Sequence, residues 1–143
     1  MKINKIILSF ISALALLLST SVTSFAKVVG DKIILGSAIS LTGKYSSNGV
    51  HTQNGYNMAV DRINSMGGVK VGGKTYKFEI IYYDDESNPK RAAQLAERLI
   101  SQDGVEYMLG PYSSGLTKAM APVTEKYGVP MVEANGASRS LFT

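Results

Sequence analysis

Apolar residues recur along this chain with two different periods. The run KIILGSA (Lys32 to Ala38) is continuous and of strand length, whereas GYNMAVDRINSMGG puts Tyr56, Ala59, Val60 and Ile63 at i, i+3, i+4 and i+7 ahead of two glycines. The first pattern predicts a buried strand and the second one face of a helix with a glycine stop. KFEIIYYDD (Lys77 to Asp85) is again rich in residues that favour strands, with Tyr82 and Tyr83 expected on opposite faces. In SNPKRAAQLAERLISQDG, Asn88 is placed as an N-cap, Pro89 as the first helical residue, and Ala92, Leu95, Ala96 and Leu99 as an apolar stripe. VEYMLG (Val105 to Gly110) predicts a third strand. GLTKAMAPVTEKYG predicts a third helix with Leu116, Ala119, Met120 and Val123 on one face, and VPMVEA a fourth strand. The predicted order is β-α-β-α-β-α-β, with the methionines in the core.

Strands alternating with helices of this length imply an α/β fold with a doubly wound parallel sheet covered on both faces. In such sheets a ligand lies outside the carboxyl ends of the strands, where the strand order reverses. The loops that follow strands are therefore the ones to read for function.

GVKVGGKT (Gly68 to Thr75) matches the phosphate-loop pattern G-x-x-x-x-G-K-[ST] letter for letter. A phosphate loop works by joining a strand end to a helix start, so that backbone N–H groups and the helix dipole both point at phosphate. This segment runs the other way, from a helix into a strand. It is read instead as a small hairpin with Gly72-Gly73 as its turn.

Three loops do follow strands: ISLTGKYSSNGVHTQNG, GPYSSGLT and EANGASRS. All are rich in Ser, Thr, Asn and Gly, which supply hydroxyls and unblocked N–H groups. Ser113 and Ser114 stand where the third helix begins, with about half a positive charge behind them from the helix dipole. Together the loops predict a receptor for a small anionic group, most simply a carboxylate. Taken singly, each also fits a helix cap and glycine turns.

Catalytic groups do not assemble. No serine in GPYSSG has glycines at both offsets of a nucleophile elbow. The single histidine, His51, lies upstream of these serines, where a hydrolase of this fold would need it downstream, and is read as capping or flanking the first helix. Asp84-Asp85-Glu86 has no partner carboxylates at the other strand ends for a magnesium ion and is read as a solvated loop leading into an N-cap. The sequence thus predicts no catalytic residue, no metal and no cofactor.

Composition changes the picture mainly at the N-terminus. Lys2 and Lys5 precede the apolar run Ile6 to Leu18, and Ser24 and Ala26 occupy the −3 and −1 positions of a cleavage site in TSFAK. This is the layout of a secretory signal peptide over residues 1–26; the apolar run is shorter than the ~20 residues of a spanning helix. Removing it takes away two lysines and leaves 13 basic against 11 acidic side chains, so the charge does not argue for nucleic acid. There is no cysteine, hence no disulfide and no thiol after the signal to carry a lipid. A soluble periplasmic protein is the simplest reading, with residues 27–143 as its folded part.

The stretches IILGSAISLTGKYSSNGVHTQNGYNMAVDRINSMGGV, YYDDESNPKRAAQLAERLI and YMLGPYSSGLTKAMAPVTEKYGVPMVEANGAS, together spanning essentially Lys32 to Thr143, resemble the opening of the branched-chain (hydrophobic) amino-acid binding proteins. These are periplasmic solute receptors of ABC transporters with the type I binding-protein fold. The resemblance implies two similar α/β lobes closing on a ligand's carboxylate and ammonium, with delivery to a membrane permease. It implies that residues 27–143 are the incomplete first lobe, the ammonium being bound by the second. In that lobe the carboxylate is held by a serine and N–H groups after the third strand, which fall on Ser113, Ser114 and Gly115, with Ser114 the best match. A small polar segment after the fourth strand falls on Asn135, Gly136, Ala137 and Ser138. A threonine used there by some members is Ala137 here, leaving Ser138 or backbone groups to serve. Tyr45, Ser46 and Asn48, after the first strand, would wall the side-chain pocket. A sensing lobe of a receptor uses the same fold, and a non-binding remnant or an exported enzyme are the further alternatives. The few donors named supply several kcal/mol at about 1.5–3 kcal/mol each. Association costs at least about 4 kcal/mol, so this chain alone is expected to bind weakly or not at all.

Overall fold

The eight-residue strand Lys32–Ile39 is the axis of the molecule, because both of its faces and both of its edges are used. The computed structural model describes residues 28–141. The predicted signal segment, 1–26, lies outside them. The elements are β1 (Val28–Val29), β2 (Lys32–Ile39), α1 (Ser46–Ser65), β3 (Val69–Val71), β4 (Lys74–Asp84), α2 (Pro89–Ser101), β5 (Met108–Leu109), α3 (Ser114–Tyr127) and β6 (Met131–Val132), followed by a 3-10 turn at Arg139–Leu141.

The strand order is β3-β4-β2-β5-β6. β2 pairs in parallel with β4 along its whole length, from Lys32↔Lys77 to Ile39↔Asp84, and with β5 at Gly36↔Met108. β5 and β6 are also parallel. Two antiparallel pairs complete the sheet: β1 folds back on the start of β2, and β3 and β4 form the hairpin predicted from Gly72-Gly73. Both turn glycines have positive φ, +57° and +81°, as a two-residue hairpin loop requires. The phosphate-loop lookalike therefore runs from the end of α1 through β3 into β4. The chain goes from β2 to β4 on one side and then returns to β5 on the other. The order reverses between β2 and β5.

One face of the sheet carries the core. Ile34 and Ala38 of β2 pack with Ala92, Leu95, Ala96 and Leu99 of α2, with Val105 and Met108, and with Leu116 and Met120 of α3. The α2 stripe is buried as its periodicity predicts, and Asn88 caps the helix by accepting the Arg91 N–H at 3.1 Å. Gly36 permits this contact: a β-carbon there would stand 2.8 Å from Val105 Cγ2 and 2.9 Å from the Met108 sulfur. Tyr83 joins this core, whereas Tyr82 points the other way and donates to Asn57 of α1 at 2.9 Å, so the two tyrosines alternate.

α1 crosses the opposite face, where the Asn64 side chain pairs with both the N–H and the carbonyl of Phe78. The helix begins well before the apolar stretch read from sequence. Residues 46–54, SSNGVHTQN, have poor helix propensity and read as loop. Tertiary contact overrides that preference, since Gly49 and Thr52 are buried. Conversely, Ala59 of the predicted stripe is exposed, and Met58 and Met66 are 72% and 68% exposed. Not all methionines are core. β5 and β6 are two residues each, shorter than predicted. Val105 is buried but lies before β5, its N–H donated to the Leu99 carbonyl that ends α2.

Candidate functional site

The loop after β2 is shaped by the acidic run, which is not a solvated loop: Asp85 is fully buried. Its Oδ1 accepts the Ser40 hydroxyl at 2.6 Å and the Ser87 N–H at 2.7 Å. Burial raises its carboxyl above the ordinary range, with those two bonds opposing the shift. Asp84 accepts the N–H groups of Leu41, Thr42 and Glu86 and the Thr42 hydroxyl. Burial works against its ionisation, but these bonds outweigh burial and hold its carboxyl below the usual value. Ser87 donates to the Thr42 carbonyl and accepts the Tyr45 N–H at 2.9 Å. The carboxylates thus fix the approach to α1.

Beyond that approach, α1 and the segments after β5 and β6 line an open cavity of about 450 Å³, formed by Asn48, His51, Thr52, Gly55, Tyr56, Tyr112, Ala134 and Asn135. It lies on the side of the carboxyl ends of β5 and β6, the side on which α/β sheets bind ligands, and its volume is within the usual range for small-molecule sites. α1 supplies one wall. Asn48, Thr52 and Tyr56 recur every four residues along it, and His51, exposed in its second turn, adds an imidazole at the rim. His51 neither caps nor flanks the helix. Tyr56 donates to the Gly110 carbonyl at 2.9 Å, and burial, aided by the charge of Glu133, holds its phenol well above its ordinary value.

Of the residues expected to wall a side-chain pocket, Asn48 lines this cavity. Tyr45 sits at the N-cap position of α1 without a side-chain cap and meets Tyr112 ring to ring at 5.8 Å. Ser46 opens α1 and donates its N–H to the Gly43 carbonyl. None of the three is in a free loop beyond Tyr45; the helix has already begun.

After β5, Ser113 is the N-cap of α3 and its hydroxyl accepts the Leu116 N–H at 3.4 Å. Its backbone lies at φ 86°, ψ 141°, a region that L-residues rarely enter. Ser114 and Gly115 are the first two helical residues, and their N–H groups have no protein acceptor among the described residues. They project from the positive end of α3. The Ser114 hydroxyl accepts the Ser138 N–H at 3.1 Å, which brings the loops after β5 and β6 together. In the second of these, Asn135 lines the cavity, Ala137 is exposed, and the Ser138 hydroxyl turns to Ser140 at 2.9 Å. The N–H groups of Asn135 and Gly136 are both accepted by Glu133.

Sequence reasoning missed Thr52, Gly55, Tyr56, Tyr112, Ala134 and Glu133. The four-residue spacing of Asn48, Thr52 and Tyr56 was the available signal, hidden by the late placement of the helix start. Among the described residues no group of acidic, histidine or cysteine side chains could hold a metal ion, and no helix is long and apolar enough to cross a membrane.

The chain is 32% identical over 118 residues to the Leu/Ile/Val-binding protein BraC3 of Rhizobium johnstonii, covering 82% of this chain and 31% of that protein. Among solved structures, the branched-chain amino acid transporter substrate-binding protein LivJ of Streptococcus pneumoniae, in complex with isoleucine, matches with a TM-score of 0.70 and 31% identity over 77% of this chain and 30% of that one. A solute-binding protein of an ABC transporter from R. palustris, in complex with 4-hydroxybenzoate, matches with a TM-score of 0.62 and 35% identity over 78% and 29%. The chain spans about 30% of the length of these relatives. Over residues 32–141 it matches the model of the periplasmic binding proteins, and with the strand-end cavity of the type I fold already in place, the chain belongs to that family.

Proposed function

We propose that residues 27–143 form the opening part of the first lobe of a periplasmic solute receptor, which binds a small carboxylate-bearing solute and delivers it to the permease of an ABC importer. The observation that carries this reading is the pair of N–H groups, Ser114 and Gly115, at the N-terminus of α3 that have no acceptor among the described residues, with the Ser114 hydroxyl beside them and Tyr112 lining the adjoining cavity. Two aligned N–H donors on a helix dipole suit a carboxylate. A branched-chain or other hydrophobic amino acid is the favoured ligand, in keeping with BraC3 and LivJ. The role is binding, not catalysis; export as a soluble periplasmic protein follows from the leader-like N-terminus.

A second reading of the ligand has its own support. Tyr112, Tyr56 and His51 give the cavity aromatic walls, and the R. palustris relative holds 4-hydroxybenzoate. Both ligand classes share the carboxylate. A melting-temperature screen of the longest product of this reading frame, against branched-chain amino acids, hydrophobic amides and hydroxybenzoates, separates them. A ligand at 100 times its Kd stabilises by about 2.7 kcal/mol. No shift with any carboxylate, or a shift only with uncharged solutes, would overturn the proposal.

A further inference from the structure

We propose that Glu133 is a positioning residue of this site: its carboxylate, seated between Gly110 and Gly136, ties the loop after β6 to α3 and thereby holds Ser138 against Ser114. Glu133 follows β6 directly and is half-buried. One of its oxygens accepts the N–H groups of Asn135 and Gly136, the latter at 2.7 Å. The other accepts the hydroxyl of Thr117, a buried residue in the first turn of α3, at 2.6 Å, the shorter of that hydroxyl's two contacts, with the Ser113 carbonyl at 2.9 Å. Three donors from two elements therefore converge on one side chain.

The seat depends on two glycines. A β-carbon on Gly110 would overlap Oε2 and stand 3.0 Å from the carboxyl carbon, and one on Gly136 would stand 2.9 Å from Glu133 Cγ. Gly110 is also held from outside, since its carbonyl accepts the Tyr56 hydroxyl from α1 and its N–H is donated to the Val132 carbonyl. The carboxylate thus sits where the segments after β5 and β6 meet α3. Because it saturates the Asn135 and Gly136 N–H groups, those two are not available to an incoming carboxylate.

The inference rests on the functional reading above for the use of the site, not for its geometry, and the two fail separately. Amide hydrogen exchange is measured on the 143-residue chain and on its Glu133→Ala, Glu133→Gln and Gly110→Ala variants. Glu133→Ala should speed exchange at Asn135, Gly136 and Ser138 by about tenfold or more, with the amides of Leu99 and Met120 unchanged. Glu133→Gln keeps an acceptor oxygen and should restore most of the protection. Gly110→Ala, which displaces the carboxylate without removing it, should reproduce the loss and decides the matter if Glu133→Ala does not fold. Unchanged exchange at the three amides in the alanine variants, or glutamine as damaging as alanine, would overturn the proposal. Isoleucine titrated into the wild-type chain tests the functional reading itself, through the amide signals of Ser114 and Gly115. Where it shifts them, Glu133→Ala should weaken its apparent affinity about fivefold or more; equal affinity would also overturn the positioning role.

Discussion

Gly49, in the first turn of α1, lies directly against the backbone of Ser40: a β-carbon on it would overlap the Ser40 carbonyl oxygen and stand 2.7 Å from the carbonyl carbon. The helix can rest on the end of β2 only because this residue has no side chain. Glycine to alanine within a helix ordinarily gains about 1 kcal/mol. Here Gly49→Ala should instead cost about 2 kcal/mol or more, because the obstacle is backbone and cannot rotate away. Urea unfolding measures this, and a stabilised variant would show that α1 does not dock as described.

Ser113 sits at φ 86°, where only glycine is at ease, yet its hydroxyl caps α3 with a long 3.4 Å bond. Backbone strain of this kind costs about 1–3 kcal/mol, whereas replacing a serine cap costs about 0.5–2 kcal/mol with alanine and only a few tenths with glycine. Ser113→Gly should therefore leave the melting temperature unchanged or raise it, while Ser113→Ala, which keeps the strain and loses the cap, should lower it. The reverse order would mean that the strain is absent in solution.

How much of this was legible beforehand varies by element. α2 could be placed from Asn88, Pro89 and its four-residue apolar stripe because local capping and burial agree there. The β3–β4 turn could be placed because Gly72-Gly73 has few other uses. The start of α1 could not, since nothing in the propensities distinguishes SSNGVHTQN from loop and the deciding contact, Gly49 on Ser40, exists only once the helix has docked on the end of β2. For the same reason the Ser, Asn and Gly content of the loops is legible in the sequence, but the groups that organise them, Asp84, Asp85 and Glu133, are acidic residues whose partners only the fold reveals.

The adjacent aspartates should oppose each other as pH changes. Asp84 is held below its ordinary value in the folded chain, so its contribution is fully present above the normal carboxylate range and is lost as pH falls through the depressed folded value. Asp85 is raised by burial, so the folded state holds its proton more tightly, and stability rises as pH falls from that raised value towards the ordinary one. Asp84→Asn should flatten the acid loss and Asp85→Asn should abolish the rise. Urea unfolding at several pH values from neutral to acid checks both signs; an Asp84→Asn variant with an unaltered acid limb contradicts the assignment.

Burial divides the large apolar residues sharply. Leu99 of α2 is fully buried in the core with residues of α3 and the sheet, whereas Met58 on α1 is 72% exposed. Leu99→Ala should cost about 2–5 kcal/mol and Met58→Ala no more than about 0.5 kcal/mol. Equal costs in chemical unfolding would place α1 in a core that the structure does not contain.

The claim that matters most is that a ligand's carboxylate is received by the N–H groups of Ser114 and Gly115. It is tested by titrating isotope-labelled chain with isoleucine to millimolar concentration and following backbone amide signals residue by residue. The account predicts weak, saturable shifts centred on Ser114 and Gly115, extending to Tyr112 and Asn135. Saturable binding that leaves those two amides unmoved while shifting signals elsewhere would contradict it.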